Sequence, residues 1–266
     1  MSALTDRLDE IKAEERSALI GYLPVGYPSV AGSIRAMEVM VEAGVDIVEV
    51  GLPYSDPVLD GPTIQFAAEA ALRGGTRVAD VFPAVAASVA AGAPAVVMSY
   101  FNPMLQYGLE RFGADLAAVG GSGVITPDLT PDAAGDWNIA ASAHHLDQIY
   151  LVAPSSTQER LHLTVAATTG FVYAASLMGV TGERSSVGDA AERLVADTRA
   201  AGAPRVCVGL GVTTGKHAAK VAAYADGVIV GSALVRCLTE NSDEEAGLEA
   251  LRLKVAELAA GVRGNA

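Results

Sequence analysis

The stretch Asp46-Ile47-Val48-Glu49-Val50, continued by Gly51-Leu52-Pro53-Tyr54-Ser55-Asp56-Pro57-Val58-Leu59-Asp60-Gly61-Pro62, contains the unit that the rest of the sequence repeats. Its first five residues read as a strand, the Pro- and Gly-rich run as a loop, and Pro62 opens an Ala-rich amphipathic segment over 62–72 that reads as a helix. Working outward, short apolar runs at 18–23, 95–99, 123–126, 148–152, 171–175, 205–208 and 227–230 bring the number of strands to eight. Helical patterns fall at 29–43, 77–91, 109–119, 157–169, 190–201, 215–223 and 244–261, with a poorly periodic crossover at 130–143. A further helix over 2–15 precedes the first strand and is placed to plug the bottom of a barrel.

Strands that are nearly continuous apolar runs belong to a parallel sheet covered by helices. Strict strand–helix alternation without a linker, charge block or short repeat predicts an α/β fold, a single (βα)8 TIM barrel spanning 1–266. A doubly wound open sheet is the alternative, because local pattern does not distinguish closed from open parallel sheets. With 18 basic against 31 acidic residues the chain carries a net charge of −13, which argues against nucleic acid or an anionic membrane as partner. No run reaches the roughly 18 apolar residues of a membrane span, and the N-terminus lacks the basic-then-apolar pattern of a secretory signal, so a cytoplasmic protein is expected. Cys207 and Cys237 are too few and too far apart for a disulfide framework, and neither they nor His144, His145, His162 and His217 have metal-ligand spacing.

In a barrel, function belongs to the loops after the strand C-termini. Glu49 interrupts an apolar strand there and shares a face with Ile47, not with Val48 and Val50. It either points into the barrel mouth or pairs with a cation on a neighbouring strand; in the mouth, desolvation would raise its pKa and suit it to hold and give a proton. Asp60 sits where the loop meets Pro62 and is equally readable as a helix cap. Together, a hydrophobically set carboxyl and a more solvated one form a pair suited to a proton donor and a charge stabiliser. The segments Gly209-Leu210-Gly211-Val212-Thr213-Thr214-Gly215 and Asp226-Gly227-Val228-Ile229-Val230-Gly231-Ser232-Ala233 follow or span the last two strands. That is where barrels frequently bind phosphate, with a short extra helix expected at 232–237. The GxGxxxG spacing of 209–215 departs from the GxGxxG of dinucleotide sites. A Gly-bounded polar loop over 179–188 reads either as a closing lid or as an ordinary surface loop. Tyr22, Tyr173 and Tyr100-Phe101-Asn102-Pro103 place aromatics at the rim, either as core packing or as the wall for a planar apolar substrate.

The block Val48 to Gln65, with Tyr100-Phe101-Asn102-Pro103, Gly179-Val180-Thr181-Gly182 and the two glycine segments in the same order, resembles the tryptophan synthase α subunit family over about 18–232. The resemblance implies retro-aldol cleavage of indole-3-glycerol phosphate to indole and glyceraldehyde 3-phosphate, with Glu49 as acid/base and Asp60 at the indole N–H. It also implies that Tyr22, Met98, Tyr100, Ile125, Pro127, Leu151, Tyr173 and Leu210 line the indole pocket. By the same likeness Gly182, Gly211, Gly231 and Ser232 hold the phosphate, and Thr181 lies in the closing loop. It implies no cofactor or metal in this chain, a β-subunit partner carrying pyridoxal phosphate, an α2β2 heterotetramer, and Pro53 and Asp56 near the β contact. Two departures stand out. The run Asp128-Leu129-Thr130-Pro131-Asp132-Ala133 replaces the family's Asp-Leu-Pro followed by two acidic residues, and Leu210 stands where the family commonly has Phe.

Overall fold

In the computed structural model, residues 2–175, 184–209, 211–241 and 243–264 are described, with the side chains of 184–188 left aside. Parallel strands β1 (Ala18–Pro24), β2 (Ile47–Gly51), β3 (Ala95–Met98), β4 (Gly123–Ile125), β5 (Asp147–Ile149), β6 (Leu151–Val152), β7 (Val172–Ala175), β8 (Val206–Gly209) and β9 (Gly227–Val230) pair in the order β5-β4-β3-β2-β1-β9-β8-β7-β6. Only Tyr150 separates β5 from β6, so the two ends of that order are one stretch of chain. The expected strand over 148–152 is a single stave that pairs with β4 through its first half and with β7 through its second. Across the break the Tyr173 N–H donates to the Tyr150 carbonyl at 3.0 Å. The sheet is therefore closed into an eight-staved (βα)8 barrel, and the open-sheet alternative falls away.

Period-2 alternation sorts the side chains into two layers. Ile20, Ile47, Val96, Ile125, Ile149, Phe171, Cys207 and Ile229 point inward and pack together. Leu19, Leu23, Val48, Val50, Val97, Val124, Val208 and Val230 face the helices. Leu4, Leu8 and Ile11 from the N-terminal helix Ala3–Ala13 join the inner cluster, so this helix closes the bottom of the barrel as its position suggested. Its start is fixed by Ser2, whose Oγ accepts from the Thr5 N–H at 3.1 Å.

The helices begin where side-chain caps are available: Ser29 before Val30–Ala43, Thr157 before Gln158–Ala167, Thr214 before Gly215–Ala222 and Asp243 before Glu244–Val262. Four expectations need correction. Residues 101–107 form a helix, Phe101–Tyr107, ahead of Leu109–Ala118; Pro103 is tolerated because it lies in the first turn, where its missing N–H removes no intrahelical bond. The segment 77–91 is a 3-10 turn, Val78–Asp80, followed by Val81–Ala90. The weak crossover over 130–143 is likewise split into a 3-10 turn Pro131–Ala133 and a helix Gly135–Ala143. The helix expected from 190 already starts at Arg184 and runs to Ala200. Among the described residues no helix is long and apolar enough to cross a membrane.

Candidate active site

Strand β2 runs beside β1 with Glu49 in register with Tyr22, and alternation turns Glu49 inward above Ile47. Glu49 is 1 % exposed, and among the described residues its Oε2 has no hydrogen-bond partner. Burial and, secondarily, the nearby charge of Asp60 push its pKa up to about 8, so the carboxyl holds a proton at neutral pH. Among the described residues no cation pairs with Glu49, and the influences on it are burial and the charge of Asp60.

The loop after β2 carries Asp60 back over the mouth. Helix Pro62–Arg73 is capped at Gly61 without a side-chain bond, so the Asp60 carboxylate is not used as a helix cap. Instead Asp60 Oδ1 accepts from the Tyr100 hydroxyl at 3.2 Å, while its main-chain carbonyl accepts from Gln65 Nε2 at 2.7 Å. Burial raises the Asp60 pKa and the Tyr100 hydrogen bond opposes that rise. The two carboxyls thus differ in surroundings: one fully buried and, among the described residues, without a donor on its Oε2, the other half-buried and held by a donor.

Both carboxyls line a cavity of about 190 Å³ at the C-terminal end of the strands. Its floor and walls are largely apolar, formed by Tyr22, Met98, Leu151, Tyr173, Ile64 and Ile229. Tyr22 and Tyr173 fit because glycines lie beside them: a Cβ on Gly51 would collide with the Tyr22 ring, and one on Gly209 would stand 2.5 Å from the Tyr173 hydroxyl. Gly209, Gly211, Gly231 and Ser232 form the opposite side of the cavity. Gly211 has φ +62°, a left-handed conformation that favours glycine, and Ser232 opens the helix Ser232–Thr239, two residues longer than expected. The first amides of such a helix have no partner within it, which leaves donors at this edge of the cavity.

Of the residues read from sequence, Glu49, Asp60, Tyr22, Met98, Leu151, Tyr173, Gly211, Gly231 and Ser232 come together around the cavity. Tyr100 stands behind the Asp60 loop, Ile125 is fully buried in the inner core, and Pro127 follows β4 outside the lining. Thr181, Gly182 and Leu210 lie outside the described residues, as do 179–183 of the expected loop over 179–188, while 184–188 belong to the helix Arg184–Ala200. Leu59, Gly61, Ile64, Ala175, Gly209 and Ile229 also line the cavity. For Gly209 and Ile229 the signal was present in the strand alternation; Ile64 depended on how the helix after Pro62 approaches the mouth.

A closed parallel barrel with two carboxyls sharing a largely apolar cavity at its C-terminal mouth has the layout of a (βα)8-barrel enzyme. A sequence model of the family "Tryptophan synthase alpha chain" matches residues 8–263. The tryptophan synthase alpha chain of Nocardia farcinica is 60 % identical over 262 residues, covering 98 % of this chain and 96 % of its own. That of Mycobacterium tuberculosis is 58 % identical, with 98 % and 95 % covered. A crystal structure of tryptophan synthase from M. tuberculosis superposes with a TM-score of 0.91 at 55 % identity, covering 98 % of this chain and 99 % of that one. The tryptophan synthase subunit alpha of Legionella pneumophila gives 0.91 at 29 % identity, with 99 % of each chain covered. The chain belongs to the tryptophan synthase alpha chain family, and it is a lyase of tryptophan biosynthesis.

Proposed function

We propose that the cavity binds indole-3-glycerol phosphate with the indole against the apolar wall and the phosphate at the glycine edge, and that Glu49 and Asp60 divide the retro-aldol chemistry between them. Glu49, protonated, gives its proton to indole C3. The ring nitrogen then carries positive charge, which the ionised Asp60 carboxylate stabilises at the N–H. The bond between C3 and the glyceryl carbon breaks, and its electron pair returns to the ring to give indole. The hydroxyl on the departing carbon loses its proton to the Glu49 carboxylate, giving the aldehyde of glyceraldehyde 3-phosphate and restoring the acid. The proton balance is closed within one side chain, so no further acid or base is required.

A buried acid with a raised pKa is the group best suited to hold a proton near neutral pH and release it to carbon. The apolar wall of Tyr22, Met98, Leu151 and Tyr173 suits a planar heterocycle, and the resemblance to the family adds Leu210 to it. Backbone N–H groups of Gly182, Gly211, Gly231 and Ser232 are the proposed phosphate donors, Ser232 adding its hydroxyl, and the resemblance to the family assigns Thr181 to a closing loop. The expected partner is a β subunit with pyridoxal phosphate that condenses the released indole with serine in an α2β2 heterotetramer in the cytoplasm. The exposed apolar side chains of Val58 and Phe66 on the same rim suit such a contact.

The observation that carries this reading is Glu49: a carboxyl 1 % exposed, with an unpartnered oxygen, in the same cavity as a second carboxylate. Its test is the release of indole from indole-3-glycerol phosphate by the purified chain, followed with and without an added β subunit. Indole is expected in both cases, faster with the partner. Absence of indole under both conditions would reduce the chain to a ligand-binding partner and overturn the assignment.

A further inference from the structure

The Tyr100 hydroxyl lies at the centre of three contacts that span 40 residues of sequence. The backbone N–H groups of Val58 and Leu59 both donate to it at 3.0 Å, and its own distance to Asp60 Oδ1 is 3.2 Å. A phenol oxygen has one proton and two acceptor lone pairs. Two amide donors occupy the acceptor side, and neither amide can accept in return. The remaining direction belongs to the proton, and the acceptor facing it is Asp60.

We propose that Tyr100 is a positioning residue: it latches the loop between β2 and the Pro62–Arg73 helix by two main-chain bonds and, with its acceptor side filled, commits its only proton to Asp60. This inference rests on the reading of Asp60 as the carboxylate that faces the indole N–H. A donor fixed on Asp60 favours the ionised carboxylate over the acid, which is the state required to stabilise positive charge on the ring nitrogen. It opposes the effect of burial on that carboxyl. Tyr100 therefore helps to set the two carboxyls apart: among the described residues Glu49 Oε2 has no donor, whereas Asp60 has one that favours its ionised form.

The surroundings of Tyr100 are built to hold it. It is 3 % exposed, its ring stacks on Tyr54 from the same loop with centroids 5.0 Å apart, and the Ser99 hydroxyl donates to its carbonyl at 2.7 Å. The next N–H, that of Phe101, donates to both carboxylate oxygens of Asp128 at 3.0 and 3.2 Å. Tyr100 thus stands on a segment tied to the loop after β4 and reaches with its hydroxyl into the loop after β2. The likeness to the family assigned Tyr100 to the wall of the indole pocket; in this structure its hydroxyl is engaged by the loop and by Asp60, itself a lining residue of the cavity.

The test is Tyr100→Phe, which keeps the ring stacked on Tyr54 and removes only the oxygen, measured beside Asp60→Asn and the unaltered chain. Initial rates of indole release give kcat and KM across pH 5 to 9, and thermal melts report whether each variant is folded. Tyr100→Phe is expected to melt as a folded protein, to lose about 10- to 100-fold in kcat/KM, mostly in kcat, and to shift the acidic limb of its pH profile upward by about one unit, as a lost bond to a charged group implies. Glycerol 3-phosphate should bind within about twofold of normal, since the glycine edge is untouched. An unmoved acidic limb and a kcat/KM within about twofold, with Asp60→Asn inactive, would overturn the latch and leave the role of Asp60 standing. Full activity in Asp60→Asn would overturn both.

Discussion

At the scale of single residues, the chemistry depends on how differently two carboxyls are solvated. Glu49 is legible in sequence because a charged residue in a strand of alternating apolar side chains has to face one side or the other, and Ile47 marks the inner side. What sequence leaves open is whether a cation waits there; among the described residues none pairs with it, and its Oε2 has no partner. A consequence for stability follows. The Glu49 pKa is raised in the folded chain, from an ordinary 4.5 to about 8. Between those values the folded state keeps a proton that the unfolded state has lost, so the contribution of Glu49 is fully present below about pH 4.5 and is lost as pH rises through about 8. Glu49→Gln has no such dependence. Relative to the unaltered chain its unfolding free energy is expected to rise by up to about 1.4 kcal/mol per pH unit between pH 5 and 8 and to level off above. Denaturant titrations at pH 5, 7 and 9 measure it; a difference independent of pH would contradict the protonated, buried state of Glu49.

Between elements, the shape of the cavity is set by which neighbouring strand supplies a glycine. Tyr173 on β7 lies across Gly209 on β8, and a Cβ there would come within 2.5 Å of its hydroxyl. Gly209→Ala is therefore expected to tilt the Tyr173 ring into the cavity, lowering kcat/KM for indole-3-glycerol phosphate by about tenfold or more while destabilising the fold by about 1–3 kcal/mol, the usual range for overpacking. Steady-state kinetics alongside thermal melts separate the two effects, and unchanged kinetics would show that the ring does not depend on the glycine. The strands themselves were readable to within a residue or two, because each is an apolar run closed by Gly, Pro or a polar residue. The Phe101–Tyr107 helix was not: Asn102-Pro103 reads locally as a turn, and only the Asp128 carboxylate bonded to the Phe101 N–H, supplied from a different loop, shows how the helix is started. The contacts of Tyr100 were hidden for the same reason, since a partner 40 positions away leaves no periodic trace.

Over the whole molecule, stability and chemistry are placed at opposite ends of the barrel, as this fold permits. The N-terminal end is held by Asp46, whose side chain is 1 % exposed and pairs with Arg7 and Arg16, each at 2.9 Å. It also accepts from the Leu19 N–H at 2.9 Å. This one carboxylate ties the plugging helix and the chain that follows it to β1 and β2. Asp46→Ala takes their shared carboxylate from Arg7 and Arg16, leaving Arg16 paired with Glu14, and leaves the Leu19 amide without its partner; it is expected to cost about 3–5 kcal/mol, with kcat of the folded protein within about twofold of normal. Urea unfolding beside indole-release kinetics checks the pair of claims; a loss below about 1 kcal/mol, or a matching loss of kcat, would undo the separation of the two ends.

The most direct measurement of the central claim is single-turnover indole release by Glu49→Gln, beside a titration of the same variant with glycerol 3-phosphate. A fall of about 10²- to 10⁴-fold in the chemical step is expected, the usual contribution of a positioned acid, with the phosphate ligand bound within a few-fold of normal. Turnover close to that of the unaltered chain would contradict it.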